Sequence, residues 1–426
     1  MFDLRNLCRL VLAAVLISQS TLPLVNAKTT PPDNTHGTEV WSGFRGTGNS
    51  HTTAKNLPVY WSATEGIRWI GKIDGYGQSS PVVWHNHVIV TSVKGKMKET
   101  IQVHCFDLST GKQRWLKTFE ASQQIESSNY VTRAAPTPVV DASGIYTFFE
   151  SGDLIALDHK GNTRWTRSLT REYGEFKGNH GVGSSLAQTN DAIIVLIDHS
   201  GPSYLLSLDK KTGKNNWKTD RPERVSWSSP VVTHGGDQQM IITSCKGSVE
   251  AYDAKEGRQL WTVTGLTRNT VASPTVAEDR ILIGSSVASS SVAIKRGGSG
   301  DVTKSHVLWS AEKGSSSFGS PLVIGDRAYY VNKAGVARCI NMADGKSKWT
   351  LRLSGSCWAS PVATADHIYF FTKDGATVVI DASGDEPEVE SECEIPVEGI
   401  VYGVAAVDGA WLIRTGDRLV CVGTQK

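Results

Sequence analysis

Three short stretches of this sequence carry residue types that could do chemistry, and each lacks a part that the chemistry needs. His85-Asn86-His87 offers two imidazoles of the kind that bind transition metals. No Cys, Asp or Glu stands beside them to complete a tetrahedral set, so a solvated turn accounts for the pair. Gly345-Lys346-Ser347 imitates the end of a phosphate-binding loop, yet Ile340 occupies the place of that loop's first Gly. Asp381, Ser383 and Asp385 alternate as Ca2+ ligands do, with Glu386 where the turn requires Gly. They open the run 385–394, whose six acids in ten residues read as a solvated hairpin. No Gly-x-Ser-x-Gly, His-Glu-x-x-His or Cys-x-x-Cys occurs. No catalytic residue and no metal ligand is therefore assigned.

The stronger signal is internal repetition, which decides the fold before any local reading does. An Asp or Asn, a short turn with Gly, and a Trp seven or eight residues on recur through the chain. The copies are Asp107…Gly111…Trp115, Asp158…Gly161…Trp165, Asp209…Gly213…Trp217, Asp253…Gly257…Trp261 and Asn341…Gly345…Trp349. Weaker copies end at Trp309 and at Trp69. The spacing of about 47 residues fits one four-stranded blade of a β-propeller. A second phrase, a small residue and often Pro before an apolar strand, falls between the Trp positions. It begins at Ser80-Pro81, Thr137-Pro138, Ser184-Ser185, Ser229-Pro230, Ser273-Pro274, Ser320-Pro321, Ser360-Pro361 and Tyr402-Gly403. Eight such starts predict an all-β, eight-bladed β-propeller over 57–426. The last copy ends near Val422 without its Trp strand, so the segment 57–73, carrying Trp69, is expected to close the ring. Cys393 is expected where blade seven should have its Trp. Trp69, Trp115, Trp165, Trp217, Trp261, Trp309 and Trp349 are expected to dock blade against blade, each burying roughly 150–250 Å².

The same alignment yields the binding candidates. Loops that lead into the first strands of a propeller gather around one mouth of its channel, where Gln78, Trp227, Phe318 and Trp358 stand immediately before their strands. Tyr76, Tyr130, Arg133, His180, Arg224 and Arg268 lie in the same loops. Aromatics and Arg are the side chains that anchor interfaces. They form either a concave binding surface or a plug in the channel. Cys105, Cys339 and Cys421 align with Ala156, Ser207, Ala251, Ala293 and Val379, a slot for small packing residues. Cys245, Cys357 and Cys393 fall outside it, and a Cys357–Cys393 bridge stays open.

The Asp…Gly-Lys-x-x-Trp phrase resembles the tryptophan-docking motif of PQQ-like, quinoprotein-type β-propellers over about residues 57–423. Trp41-Ser42-Gly43-Phe44-Arg45-Gly46 is similar to the opening of exported propeller-repeat proteins. Among the functional branches, the eight-bladed size resembles the BamB family, propeller subunits of the outer-membrane β-barrel assembly machinery. That resemblance implies a non-catalytic scaffold with an envelope protein partner, outer-membrane assembly components among them, and no cofactor. The enzymatic branch implies PQQ with Ca2+ held beneath an adjacent Cys-Cys pair, and no two Cys are adjacent here. A PQQ-dependent oxidoreductase is thus one alternative, and a surface carbohydrate- or peptide-binding module is another.

Compartment and partners follow from the ends and the charge. Arg5 and Arg9 precede the apolar run 10–17, and Val25-Asn26-Ala27 supplies small residues for cleavage. Residues 1–27 therefore read as a secretory signal peptide, cleaved near Ala27, and 28–56 as a leader ahead of the propeller. The expected location is periplasmic or secreted, and no later run is long enough to span a membrane. With 44 Lys plus Arg against 42 Asp plus Glu, the charge of +2 gives no field for nucleic acid or an anionic membrane surface.

Overall fold

The computed structural model describes residues 40–128, 131–233, 238–382 and 384–423. The expected signal peptide, its cleavage point at Ala27, and Tyr130 lie outside the described residues. Eight antiparallel sheets follow one another along the chain, spanning 82–120, 139–168, 187–220, 231–264, 275–310, 322–352, 362–394 and 403–423. Each is built on a four-stranded meander, the first and fourth gain a short fifth strand, and the eighth takes its outer strand from far upstream. Ile67–Lys72 pairs antiparallel with Arg418–Gly423, setting Trp69 opposite Cys421. The ring closes as the repeat count requires.

Cross-strand register explains the small-residue slot. Cys105, Ala156, Ser207, Ala251, Ala293, Cys339 and Cys421 each face a docking Trp: Trp115, Trp165, Trp217, Trp261, Trp309, Trp349 and Trp69. A bulky side chain there would displace the indole. The indole in turn lies on the turn glycine of the next blade, so that Gly111 backs onto Trp69 and Gly213 onto Trp165. Gly111 also has φ +67°, which no Cβ-bearing residue adopts cheaply. The indole N–H groups of Trp69, Trp165 and Trp309 donate to the carbonyls of Leu108, Lys210 and Met342 at 2.8, 3.0 and 2.8 Å. Trp261 departs from the pattern. The turn it would meet is replaced by a longer segment whose Gly300–Asp301 strand pairs with Trp261's own strand, and its buried indole N–H has no partner among the described residues.

Blade seven corrects one expectation. Val379 faces Ser391, so Ser391 and not Cys393 occupies the Trp position. Two other indoles, Trp61 from upstream and Trp411 of blade eight, are fully buried in one cluster with Tyr369 and Cys393, and the Trp411 ring lies 4.5 Å from that of Tyr369. Ser391 Oγ and Cys393 Sγ donate to the Val59 carbonyl, and Trp411 Nε1 to that of Pro58 at 3.2 Å. All six described cysteines are free and buried, so the Cys357–Cys393 bridge is absent. Burial pushes the Cys105, Cys357 and Cys421 thiols up to about 12, as small packing groups require.

The Ser-Pro phrase has its own physical role. The backbone N–H of Ser80 donates to Thr137 Oγ1, that of Thr137 to Ser185 Oγ, and the series continues through Ser229, Ser273, Ser320 and Ser360, each at 2.9–3.0 Å. A belt of hydroxyls thus stitches seven blades around the channel. Pro follows because the innermost strand has no neighbour for its N–H on that side. At the eighth blade the series meets Gly403, whose added Cβ would stand 2.0 Å from Ser80 Oγ. Gly403→Ser should therefore lower stability by about 1–3 kcal/mol through overpacking, read as an earlier denaturant midpoint. An unchanged midpoint would show that the belt tolerates a full circle of side chains.

Candidate functional site

The loops entering the innermost strands of blades six, seven, eight and one place an unbroken row of aromatic rings around one mouth. Phe318 stacks on Trp358 with centroids 4.8 Å apart. Trp358 meets Tyr402 edge-on at 6.0 Å, and the Tyr402 hydroxyl lies 2.7 Å from that of Tyr76. The Arg133 guanidinium sits 3.6 Å from the Tyr76 ring centroid, a cation–π contact. Gln78 ties the row to the loop before blade two: its N–H donates to the Arg133 carbonyl and its Oε1 accepts from the Arg133 N–H, both at 2.9 Å. All six side chains are half-buried, leaving one edge of the row toward solvent.

The other candidates lie apart from this row. Trp227 donates its indole N–H to the Gly181 carbonyl at 2.9 Å, with the His180 ring 5.7 Å away. Arg224 turns inward to Glu250 at 2.8 Å and Ser248 at 2.9 Å, beside the buried Arg221–Asp198 pair. Arg268 is exposed at φ +52°. Of the residues selected from sequence, Tyr76, Gln78, Arg133, Phe318 and Trp358 come together, and Trp227 with His180 forms a second patch. Tyr402 was missed. Its column holds Ser79, Pro136, Ser184, Ser228, Ala272, Gly319 and Ala359 in the other blades. One ring among seven small or ring-locked residues was the available signal.

Beneath the row the channel is filled by the residues expected to form a leader. Val40–Trp41 adds a strand to the inner edge of blade one, Val40 opposite Trp84 and Trp41 opposite Val83. The Ser42 carbonyl accepts from Val140 in blade two at 2.9 Å. Arg45 reaches across to Thr275 Oγ1 at 2.8 Å and the Pro274 carbonyl at 2.5 Å in blade five. His51 donates to the Val323 carbonyl in blade six, and Ser50 and Thr52 exchange backbone bonds of 2.9 Å with Ala363 in blade seven. Residues 40–52 thus touch inner strands around the ring. A cavity of about 40 Å³ remains between this segment and the rim of Phe318, Trp358 and Tyr402.

That donor set does not suit a Ca2+-bound quinone. The charged group beneath the mouth is a guanidinium, no carboxylate lines the cavity, and no three His, Cys, Asp or Glu side chains converge among the described residues. The remaining volume also falls far below the roughly 300–1,000 Å³ of small-molecule sites.

The loop bearing Tyr76 is held by a polar set in blade one, of which Ser92, Gln102 and His104 are buried and Asp74 and Lys94 exposed. Ser92 Oγ donates to the Asp74 carbonyl at 2.6 Å, and Lys94 and Gln102 bond the Asp74 carboxylate at 3.0 and 3.2 Å. His104 Nε2 lies 2.8 Å from Ser92 Oγ and its Nδ1 3.3 Å from Gln113 Oε1. Burial holds the His104 imidazole down at about 4, so it is neutral at pH 7.

Comparison with known proteins places this architecture. The family described as outer membrane protein assembly factor BamB matches residues 34–177 and 161–387. The curated BamB of Shewanella oneidensis is 23% identical over 211 residues, 48% of this chain and 48% of that protein, so the chain matches about half the length of that relative. The solved BamB of Moraxella catarrhalis superposes with a TM-score of 0.61 at 18% identity, covering 84% of this chain and 97% of that one. The quinohemoprotein alcohol dehydrogenase of Comamonas testosteroni gives 0.62 at 12% identity, covering 92% and 82%. At these identities both show the fold alone, and their near-equal scores do not separate scaffold from enzyme.

His104 offers a pH test of the loop anchor. Its pKa is depressed on folding, so its contribution is full above the unfolded value near 6.5 and is lost as pH falls through about 4. Stability should drop by up to about 3 kcal/mol across that window. In His104→Gln the drop should shrink, as measured by urea unfolding at pH 7 and pH 4; an equal drop in both proteins removes His104 as the cause.

Proposed function

Starting from a chain that belongs to the BamB family of quinoprotein-type repeat propellers, we propose that it is a non-catalytic scaffold of the cell envelope that holds a protein partner at its aromatic mouth. The observation that carries this reading is the filled channel. Residues 40–52 occupy the space beneath the mouth, with a buried cation at its centre, and the polished row from Phe318 to Arg133 lies above it. Rings fixed by one another and by Tyr–Tyr and cation–π contacts lose little freedom on binding, which suits an interface anchor.

The partner proposed is a component of the outer-membrane barrel assembly machinery, by analogy with what the matched relatives are called. Export by the 1–27 segment belongs to the same proposal. Among the described residues no helix is long and apolar enough to cross a membrane. PQQ-dependent oxidation remains the rival, and the guanidinium-centred cavity speaks against it.

Purified protein should bind the purified barrel-assembly subunit of its own organism, measured by calorimetry. Replacing Trp358 and Tyr402 together by Ala should weaken that complex by about 30-fold or more, the scale of a lost hot spot, with the thermal midpoint nearly unchanged. Absence of a complex, or saturable dye reduction after adding PQQ and Ca2+, would overturn the reading.

A further inference from the structure

We propose that the cavity beneath the mouth is a binding site for a small carboxylate-type anion. Three residues lining it each carry a buried polar atom with no hydrogen-bond partner among the described residues: Trp41 Nε1, Arg45 Nε and Ser50 Oγ. These residues are 3%, 3% and 0% exposed, so bulk water does not serve them. An indole and a guanidinium can only donate, and a hydroxyl donates when its neighbours do. Such a set calls for a group that accepts without donating.

Charge points the same way. The other guanidinium bonds of Arg45 go to neutral oxygens, those of Thr275, Pro274 and Gly48. Its pKa falls to about 9 with burial as the sole cause, which is the mark of a cation sealed without a counter-charge. An anion supplies both the missing acceptor and that charge. Water would answer only the first need, and its own hydrogens would still require acceptors among the same donors.

The backbone and the space agree. Arg45 and Ser50 both hold left-handed conformations, φ +58° and +62°, that non-glycine residues rarely adopt. About 40 Å³ is more than a single water needs and is on the scale of a carboxylate. Phe318, Trp358 and Tyr402 line the cavity on the side of the mouth and are half-buried, so that is the side from which a free ion or the terminal carboxylate of a peptide would enter. This inference does not depend on the identity of any protein partner.

Sodium acetate titrated into the intact protein at fixed ionic strength, with acetamide as the neutral isostere, tests it. Acetate should raise the thermal midpoint saturably and shift one indole N–H resonance, assigned by its loss in Trp41→Phe, while acetamide does neither. Ser50→Ala and Trp41→Phe, which keep the shape of the segment, should raise the half-saturating acetate concentration by about tenfold or more. A short peptide and its C-terminal amide form the second arm. Discrimination between those two without an acetate response assigns the site to a partner's carboxylate and still supports an anion site. Equal responses to acetate and acetamide, or to peptide and amide, or a wild-type affinity in Ser50→Ala, would overturn it.

Discussion

Everything in this molecule depends on closing a circle of eight sheets, and the blades are joined by contacts between side chains and backbone at two radii. Near the axis, Ser and Thr hydroxyls accept the N–H of the preceding blade from Ser80 round to Ser360. Farther out, indoles lie on the turn glycines of the next blade. Between them sit separate apolar clusters, each shared by neighbours. Ile194, Leu196 and Leu205 of blade three, for instance, meet Ile241 and Tyr252 of blade four. The core is therefore distributed around the ring, and no one blade can be stable apart from the two beside it.

How far the sequence reveals this depends on whether an interaction is local. The Asp-turn-Gly-Trp phrase is a contact between a turn and an indole about one repeat away, so its residue types recur and the blade count is legible. The eight strand starts were legible for the same reason, because each must present a hydroxyl or a small residue to its neighbour. The filling of the channel was not. Residues 40–52 bind inner edges through backbone groups and the side chains of Arg45 and His51, and backbone pairing leaves no recurring phrase. Trp61 was hidden for a related reason: it packs into the cluster of Tyr369 and Cys393 from a segment far upstream, and no recurring phrase marks it. Tyr402 was visible as an exception within its column but was read as a strand start, not as a rim residue.

Enzymes and scaffolds share this fold with equal structural likeness, so what separates them must lie in the channel and not in the blades. Here the channel is occupied by the chain itself. The occupant brings a cation and two strained residues to the centre, and it leaves the rim rings standing over a floor that is polar, positive and rigid.

The shared eighth blade also ties the two extremes of the repeat array to one another. Among the described residues the sheet partner of Ile67–Lys72 is Arg418–Gly423. Without its counterpart, each strand keeps an unsatisfied hydrogen-bonding edge, and the ring stays open. Closure is therefore a long-range contact that chain entropy opposes until the blades between the two strands are in place.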